Sequence, residues 1–183
     1  MAWQNVMQIT PIQFRCGFCG NNVAANHGFF ASNGKDKAYP CPYCDKLSFF
    51  DSTGQQYPGV APGNDVAHLP QELAAIYGEA RRCVSVNAHT AAVLTCRKLL
   101  MHIAVQQKAK EGEPFMYYVE YLANNGYVPP NGKVWVDHIR KKGNEANHEI
   151  VLMKKEEAID LISFTEMLLK FIYEFPAKVP KTP

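Results

Sequence analysis

Two cysteine pairs, Cys16-Gly17-Phe18-Cys19 and Cys41-Pro42-Tyr43-Cys44, stand 21 residues apart in the first third of this 183-residue chain. They leave few folds open to the segment around them. Each pair wraps two thiolates around one side of a metal, and four thiolates complete the closed tetrahedron that structural Zn²⁺ prefers. The gap is one residue beyond the usual spacing of a zinc ribbon, which only lengthens a loop. Cys16, Cys19, Cys41 and Cys44 are therefore expected to hold one structural Zn²⁺. With no open position the ion does no Lewis-acid chemistry; it supplies folding free energy to a module too small to bury a sufficient core. A redox role for either pair needs a thioredoxin-like βαβ context, which the flanking residues lack. His27 lies between the pairs and reads as a loop histidine, since four cysteines already suffice. Cys83 and Cys96 fall within helical patterns among apolar neighbours and read as small core residues.

Six cysteines in a chain without a secretory signal point to metal ligation or burial, because reducing compartments keep thiols free. Residues Met1 to Ile9 lack a basic n-region and a long apolar stretch, and no segment approaches a membrane span of roughly 20 apolar residues. The expected address is the cytoplasm, with no membrane partner. A net charge of +2 excludes a strongly basic nucleic-acid binder, so any such contact must rest on a local patch. One candidate patch is Phe14, Phe18, Phe29, Phe30 and Tyr43 with Arg15, Lys35, Lys37 and Lys46 nearby, a set able to stack single-stranded nucleic acid. The favoured alternative is that these rings form the module's own small core and its contact with the helices. A protein partner reached through the ribbon is a further expectation.

Residues 1–55 are rich in Gly, Asn and aromatics and read as a small β-type module, with strand-like runs at Ile12 to Phe14, Gly28 to Phe30 and Leu47 to Phe50. Residues 56–69, with Pro58-Gly59, Pro62-Gly63 and the approach to Pro70, read as a linker. Residues 70–178 read as helical, which makes the chain mainly α. A first helix runs from Pro70 through Val84, and a second from an N-cap at Asn87 to about Lys110, stopped by Glu111-Gly112. A third follows Pro114 and ends at Gly126 or Pro129-Pro130, a fourth starts over Lys133 to Lys142, and a last one spans Lys154 to Phe175. The last presents Leu161, Ile162, Leu168, Leu169 and Ile172 as a face too broad for a coiled-coil seam and suited to a bundle core.

The most unusual polar stretch is Ile139-Arg140-Lys141-Lys142-Gly143-Asn144-Glu145-Ala146-Asn147-His148-Glu149. If the fourth helix continues through it, Lys141, Asn144 and His148 share one face, placing a cation, an amide and an imidazole where a phosphate is gripped and a proton moved. If the helix ends at Gly143, Asn144 and His148 serve as cap and loop contacts and the basic run is solvated. The residues alone leave these readings even.

Together with Ala91–Ala104 (AAVLTCRKLLMHIA) and Glu156–Pro176 (EEAIDLISFTEMLLKFIYEFP), the segment IRKKGNEANHE closely resembles the bacterial domain-of-unknown-function family 4145 of the HEPN superfamily, over about Leu69 to Pro176. Members often carry a cysteine ribbon in front. The resemblance implies a HEPN-like helical bundle preceded by a zinc ribbon, a homodimer, and the metal-independent ribonuclease chemistry of toxin, CRISPR or phage-defence systems. The family's motif sets an arginine four to six residues ahead of a histidine, frequently Arg-Asn-x-x-x-His, which makes Asn144 and His148 the matching positions. Gly143 stands in the arginine's place. Seven residues lie between Arg140 and His148, one more than the motif allows, and Lys142 has the right spacing with a different cation. An ammonium neutralises phosphate but does not grip two oxygens as a planar fork. Two functions follow. One is an RNA-directed protein, an RNA binder or endoribonuclease, in which His148 is the acid or base, Asn144 orients phosphate, and Arg140, Lys141 or Lys142 binds RNA and stabilises charge. The other is a non-catalytic binding or scaffold module.

Overall fold

In the computed structural model, which describes residues 3–132, 134–139 and 152–180, the chain divides after Ala61 into two units, Met1–Ala61 and Pro62–Pro183. The first is an antiparallel meander of five strands in sequence order: β1 (Met7–Arg15), β2 (Asn22–Phe30), β3 (Lys37–Pro40), β4 (Leu47–Phe50) and β5 (Gln56–Tyr57). The β1–β2 register slips between Gln8 and Ile12. Pro11 falls within that slip and has no N–H to give a ladder, so the strand bulges there. Gly28 admits β3 closely, because a Cβ would lie 2.2 Å from the Ala38 carbonyl oxygen. Phe14, Tyr39 and Phe50 meet edge-on or tilted, with centroids 5.1 to 6.3 Å apart, and the Tyr39 hydroxyl donates to the Thr10 carbonyl at 2.7 Å. This is a small core of three rings, supplemented by Val23 against the buried thiols of Cys16 and Cys41.

The second unit contains α1 (Gln71–Ser85), α2 (His89–Gln106), α3 (Phe115–Asn124), α4 (helical residues 134–139), α5 (Lys155–Leu169) and α6 (Phe175–Lys178). Helix α2 is the centre of the bundle. Its Cys96, Leu99, Leu100 and Ile103 are buried with Tyr77 of α1, Leu122 of α3 and Ile162, Phe164 and Leu168 of α5. The ring of Trp135 in α4 meets Phe164 edge-on at 5.2 Å. Truncating a fully buried ring such as Phe164 typically costs about 3–5 kcal/mol.

Helix ends depart from the sequence reading in two places. Asn87 does not cap α2; it sits at φ 63° and closes α1, with its own N–H on the Val84 carbonyl and the Ala88 N–H on that of Cys83. The residue is in the left-handed conformation that asparagine tolerates, and the paired bonds are a Schellman closure. Lys108 (φ 78°) closes α2 in the same way, with Ala109 bonded to Ala104, so the helix stops before Glu111-Gly112. Gly126 (φ 81°) closes α3 as expected. The last helix also changes character: Lys170–Glu174 forms one π-helical turn between α5 and α6. Pro176 offers no N–H to the preceding turn and its ring crowds the carbonyl four residues back, and a wider turn relieves both.

Of the stretch 56–69, Gln56–Tyr57 is the fifth strand, while 62–67 are bonded to the bundle. Glu166 accepts the Asn64 backbone N–H at 2.9 Å and its side-chain amide at 3.1 Å. Arg81 donates to the Pro62 and Gly63 carbonyls at 2.8 and 3.0 Å and pairs with Asp65. The Ala67 N–H reaches Glu174 at 3.1 Å. Gly63, at φ 72°, leaves room for Tyr77 and Glu166, each of which a Cβ would approach to 2.8 Å. Burial opposes the Glu166 charge, but the Lys170 ammonium and the two Asn64 donors outweigh it and hold the carboxyl below its ordinary pKa. A depressed carboxylate stabilises the fold above its unfolded pKa, about 4.3, and that contribution fades as pH falls through the folded value. Thermal melts from pH 7 to 3 are therefore expected to show a steeper acid loss in the parent than in Glu166→Gln. Identical slopes would contradict this account of the clamp.

Candidate metal centre

Cys16, Cys19, Cys41 and Cys44 come together at one end of the β unit, with their sulfurs all within 4.8 Å of one another. The Cys16–Cys44 and Cys19–Cys41 separations are 3.8 and 3.6 Å. Four sulfurs at a Zn–S distance of about 2.3 Å stand about 3.8 Å apart along a tetrahedron's edges, so these thiols are spaced for such an ion. Metals of other radius and the same ligand preference fit a similar cage; the set is compatible with zinc.

The two loops that carry the thiols are built alike. In the first, Cys16 N–H bonds the Asn21 carbonyl and Gly20 N–H bonds that of Cys16, each at 2.9 Å. In the second, Cys41 bonds Lys46 and Asp45 bonds Cys41, again each at 2.9 Å. The residue after each pair is left-handed, Gly20 at φ 73° and Asp45 at φ 57°. Backbone N–H groups also point at the sulfurs in corresponding places. Phe18 donates to Cys16 and Tyr43 to Cys41, while Asn21 donates to Cys19 and Lys46 to Cys44. Such donors favour thiolate over thiol and orient the ligands, as outer-shell partners of a metal do.

Without a cation, the thiols of Cys19 and Cys44 are pushed in opposite directions. Burial is the largest single influence on Cys19 and raises its pKa, but the Asn21 N–H and the three neighbouring thiols together outweigh it and bring it down to about 7. Burial, aided by its sulfur neighbours, pushes Cys44 up to about 12. A divalent cation removes this conflict by compensating the added negative charge, and the donor set is suited to one.

Residues around the cluster divide differently from the sequence expectation. Phe14 is core, as favoured, but Phe18 and Tyr43 are 47% and 65% exposed and Phe30 is exposed as well. Phe18 and Tyr43 occupy the same position in the two loops, immediately before the second cysteine. The Lys46 ammonium lies 5.0 Å from the Phe18 ring centroid. Arg15 is exposed and donates to the Gly20 carbonyl at 2.8 Å, beside the first loop. Trp3, absent from the sequence argument, is tied to the second loop through its indole N–H on the Asp45 carbonyl at 2.6 Å. No spacing rule would have found it. His27 is exposed on β2 beside Asn26 and takes no part in the cluster. Cys96 is a fully buried core residue whose thiol burial pushes up to about 12, and Cys83 is half-buried.

The second candidate site falls elsewhere: Arg140, Lys141, Lys142, Asn144 and His148 lie outside the described residues. Its nearest described flanks are Ile139, which is buried, and Leu152, which is exposed; Ile139 and the buried Met153 line a small cavity with Val93, Phe115, His138, Glu157 and Leu161. Close by, the Arg97 guanidinium sits 4.6 Å over the Phe115 ring in an almost fully buried position, and burial lowers its pKa. The sequence did carry a sign of this residue. Arg97 falls on the apolar stripe Val93, Leu100 and Ala104 of α2, where an arginine must be paired or stacked. His138 Nε2 lies 3.3 Å from Asp160 at the surface. Among the described residues no helix is long and apolar enough to cross a membrane.

A family model described as "Domain of unknown function (DUF4145)" matches residues 78–182, more than half of the chain. No curated protein and no solved structure matches it.

Proposed function

Because the chain belongs to the DUF4145 family, we propose that it is a HEPN-like, RNA-directed protein, an RNA binder or metal-independent endoribonuclease of bacterial phage defence, acting as a homodimer. Its β unit is read as a zinc ribbon with one structural Zn²⁺ on Cys16, Cys19, Cys41 and Cys44. The observation that carries this reading is that the family match runs through 140–148, the segment that bears Asn144 and His148. In the proposed reaction His148 takes the proton of the RNA 2′-hydroxyl or returns one to the leaving oxygen. Asn144 orients the phosphate, and Arg140, Lys141 and Lys142 offset the charge that develops on it. The thiolate centre takes no chemical part, since a four-sulfur tetrahedron offers no position for water or phosphate.

Gly143 at the arginine's place favours a second reading, a non-catalytic binding or scaffold module. One variant separates them. His148→Ala is expected to abolish RNA cleavage or binding while leaving melting nearly unchanged, because it removes a working group and no packing. A stability loss of about 1–3 kcal/mol, the cost of orphaning a buried hydrogen-bond partner, together with no RNA effect of the parent protein, would establish the scaffold reading.

A further inference from the structure

Of the large hydrophobic side chains exposed on the β unit, six are aromatic: Trp3, Phe18, Phe30, Tyr43, Phe49 and Tyr57. An exposed ring offers a flat π-face on which an unpaired base stacks, and a cation beside it adds to the attraction for a nucleic-acid strand. Three of the six gather at the metal end. Phe18 and Tyr43 hold equivalent places in the two cysteine loops, and Trp3 is bonded to the second loop. Arg15 flanks the first loop and Lys46 reaches from the second onto the Phe18 ring. None of these rings belongs to the cluster of Phe14, Tyr39 and Phe50; Trp3 meets Phe29 edge-on at 6.2 Å, while Phe18 and Tyr43 stand largely exposed on their loops.

We propose that the metal end of the β unit is a stacking site for single-stranded RNA, in which Phe18 and Tyr43 receive successive unpaired bases and Arg15 and Lys46 meet the phosphates between them. This rests on the RNA-directed reading above and adds where the strand is held. The bound metal fixes both loops, and with them the two rings, so the site is ordered before RNA arrives and little side-chain entropy is lost on binding. Electrostatics is secondary. Arg15, Lys35, Lys37 and Lys46 stand against Asp36, Asp45 and Asp51, and four thiolates around a divalent ion add net negative charge. Binding carried by stacking should therefore weaken only modestly with salt, unlike binding carried by many phosphate contacts. A duplex, whose bases are already stacked, should bind poorly.

The test uses the full-length, metal-loaded protein and the anisotropy of a fluorescent single-stranded RNA, with a hairpin of the same composition as the comparison. The parent should bind the single strand in preference to the hairpin. Phe18→Ala and Tyr43→Ala should each weaken that binding by about tenfold, the loss of one base–ring stack, with metal content and melting unchanged; Tyr43→Trp should retain it. If the parent binds and both alanine variants bind as well as it does, the stacking site is overturned while the RNA-directed reading survives with the strand held elsewhere. If the parent binds neither RNA, both fall. Variants that shift sedimentation without altering RNA binding would assign the rings to a contact between copies and overturn the site.

Discussion

Stripping the metal with a chelator is expected to unfold the β unit while α1 to α6 keep their helical circular dichroism. The unit's own apolar core is three rings and a valine packed on two thiols, far short of what a domain of some 60 residues needs to offset its chain entropy. Structural Zn²⁺ contributes about 10–16 kcal/mol to zinc-finger peptides near neutral pH, more than a small domain's entire net stability of about 5–15 kcal/mol. Its removal should therefore dominate any other single change. Trp3, bonded to Asp45 of the second loop, reports the event; its emission, obtained by difference from a Trp3→Phe variant, should shift to the red. Cys16→Ser and Cys41→Ser, at the two buried ligands, should reproduce the effect. The helical unit has its own core, so its melting should be unaffected. A β unit that stays folded after chelation would show that the metal is not its main support.

How much of this was readable in advance differs residue by residue. The cysteine spacing named all four members of the cluster, because metal ligation depends on a local loop geometry that two residues between thiols encode. Expected strands at Ile12 to Phe14, Gly28 to Phe30 and Leu47 to Phe50 fall within β1, β2 and β4. Strand β3 did not announce itself, since Lys37-Ala38-Tyr39-Pro40 lacks alternation and ends in proline; it forms because β2 and β4 lie on either side to pair with it. The long helices followed from apolar periodicity, but their ends did not. Asn87 looks like an N-cap by type and Lys108 looks like nothing in particular, yet both adopt positive φ because the preceding helix must close its last carbonyls. Propensity ranks residues for a role; the chain's path decides which role is needed. The same distinction explains the aromatics. Composition could not separate Phe14, which faces Tyr39 and Phe50, from Phe18, which sits at the tip of a cysteine loop, because loop side chains have no period from which to read a face. The exposed rings are visible only in three dimensions.

The second large effect joins the metal to RNA. If the strand lies on Phe18 and Tyr43, then whatever holds the two cysteine loops also holds the binding site, and the four thiols are what join one loop to the other, while Arg15 and Trp3 each bond a carbonyl of a single loop. Metal removal should abolish binding outright rather than weaken it by one stack, since both rings lose their places at once. The Asn144 and His148 positions need no metal in the proposed chemistry, so binding confined to the helical unit would be indifferent to chelation. The two outcomes are far apart.

The deciding measurement is therefore the affinity of the intact protein for single-stranded RNA before chelation, after it, and after zinc is restored. The account predicts tight binding, then loss of at least a hundredfold, then recovery with one zinc per chain. Affinity that is the same in all three states, or absent from the zinc-loaded protein, would contradict it.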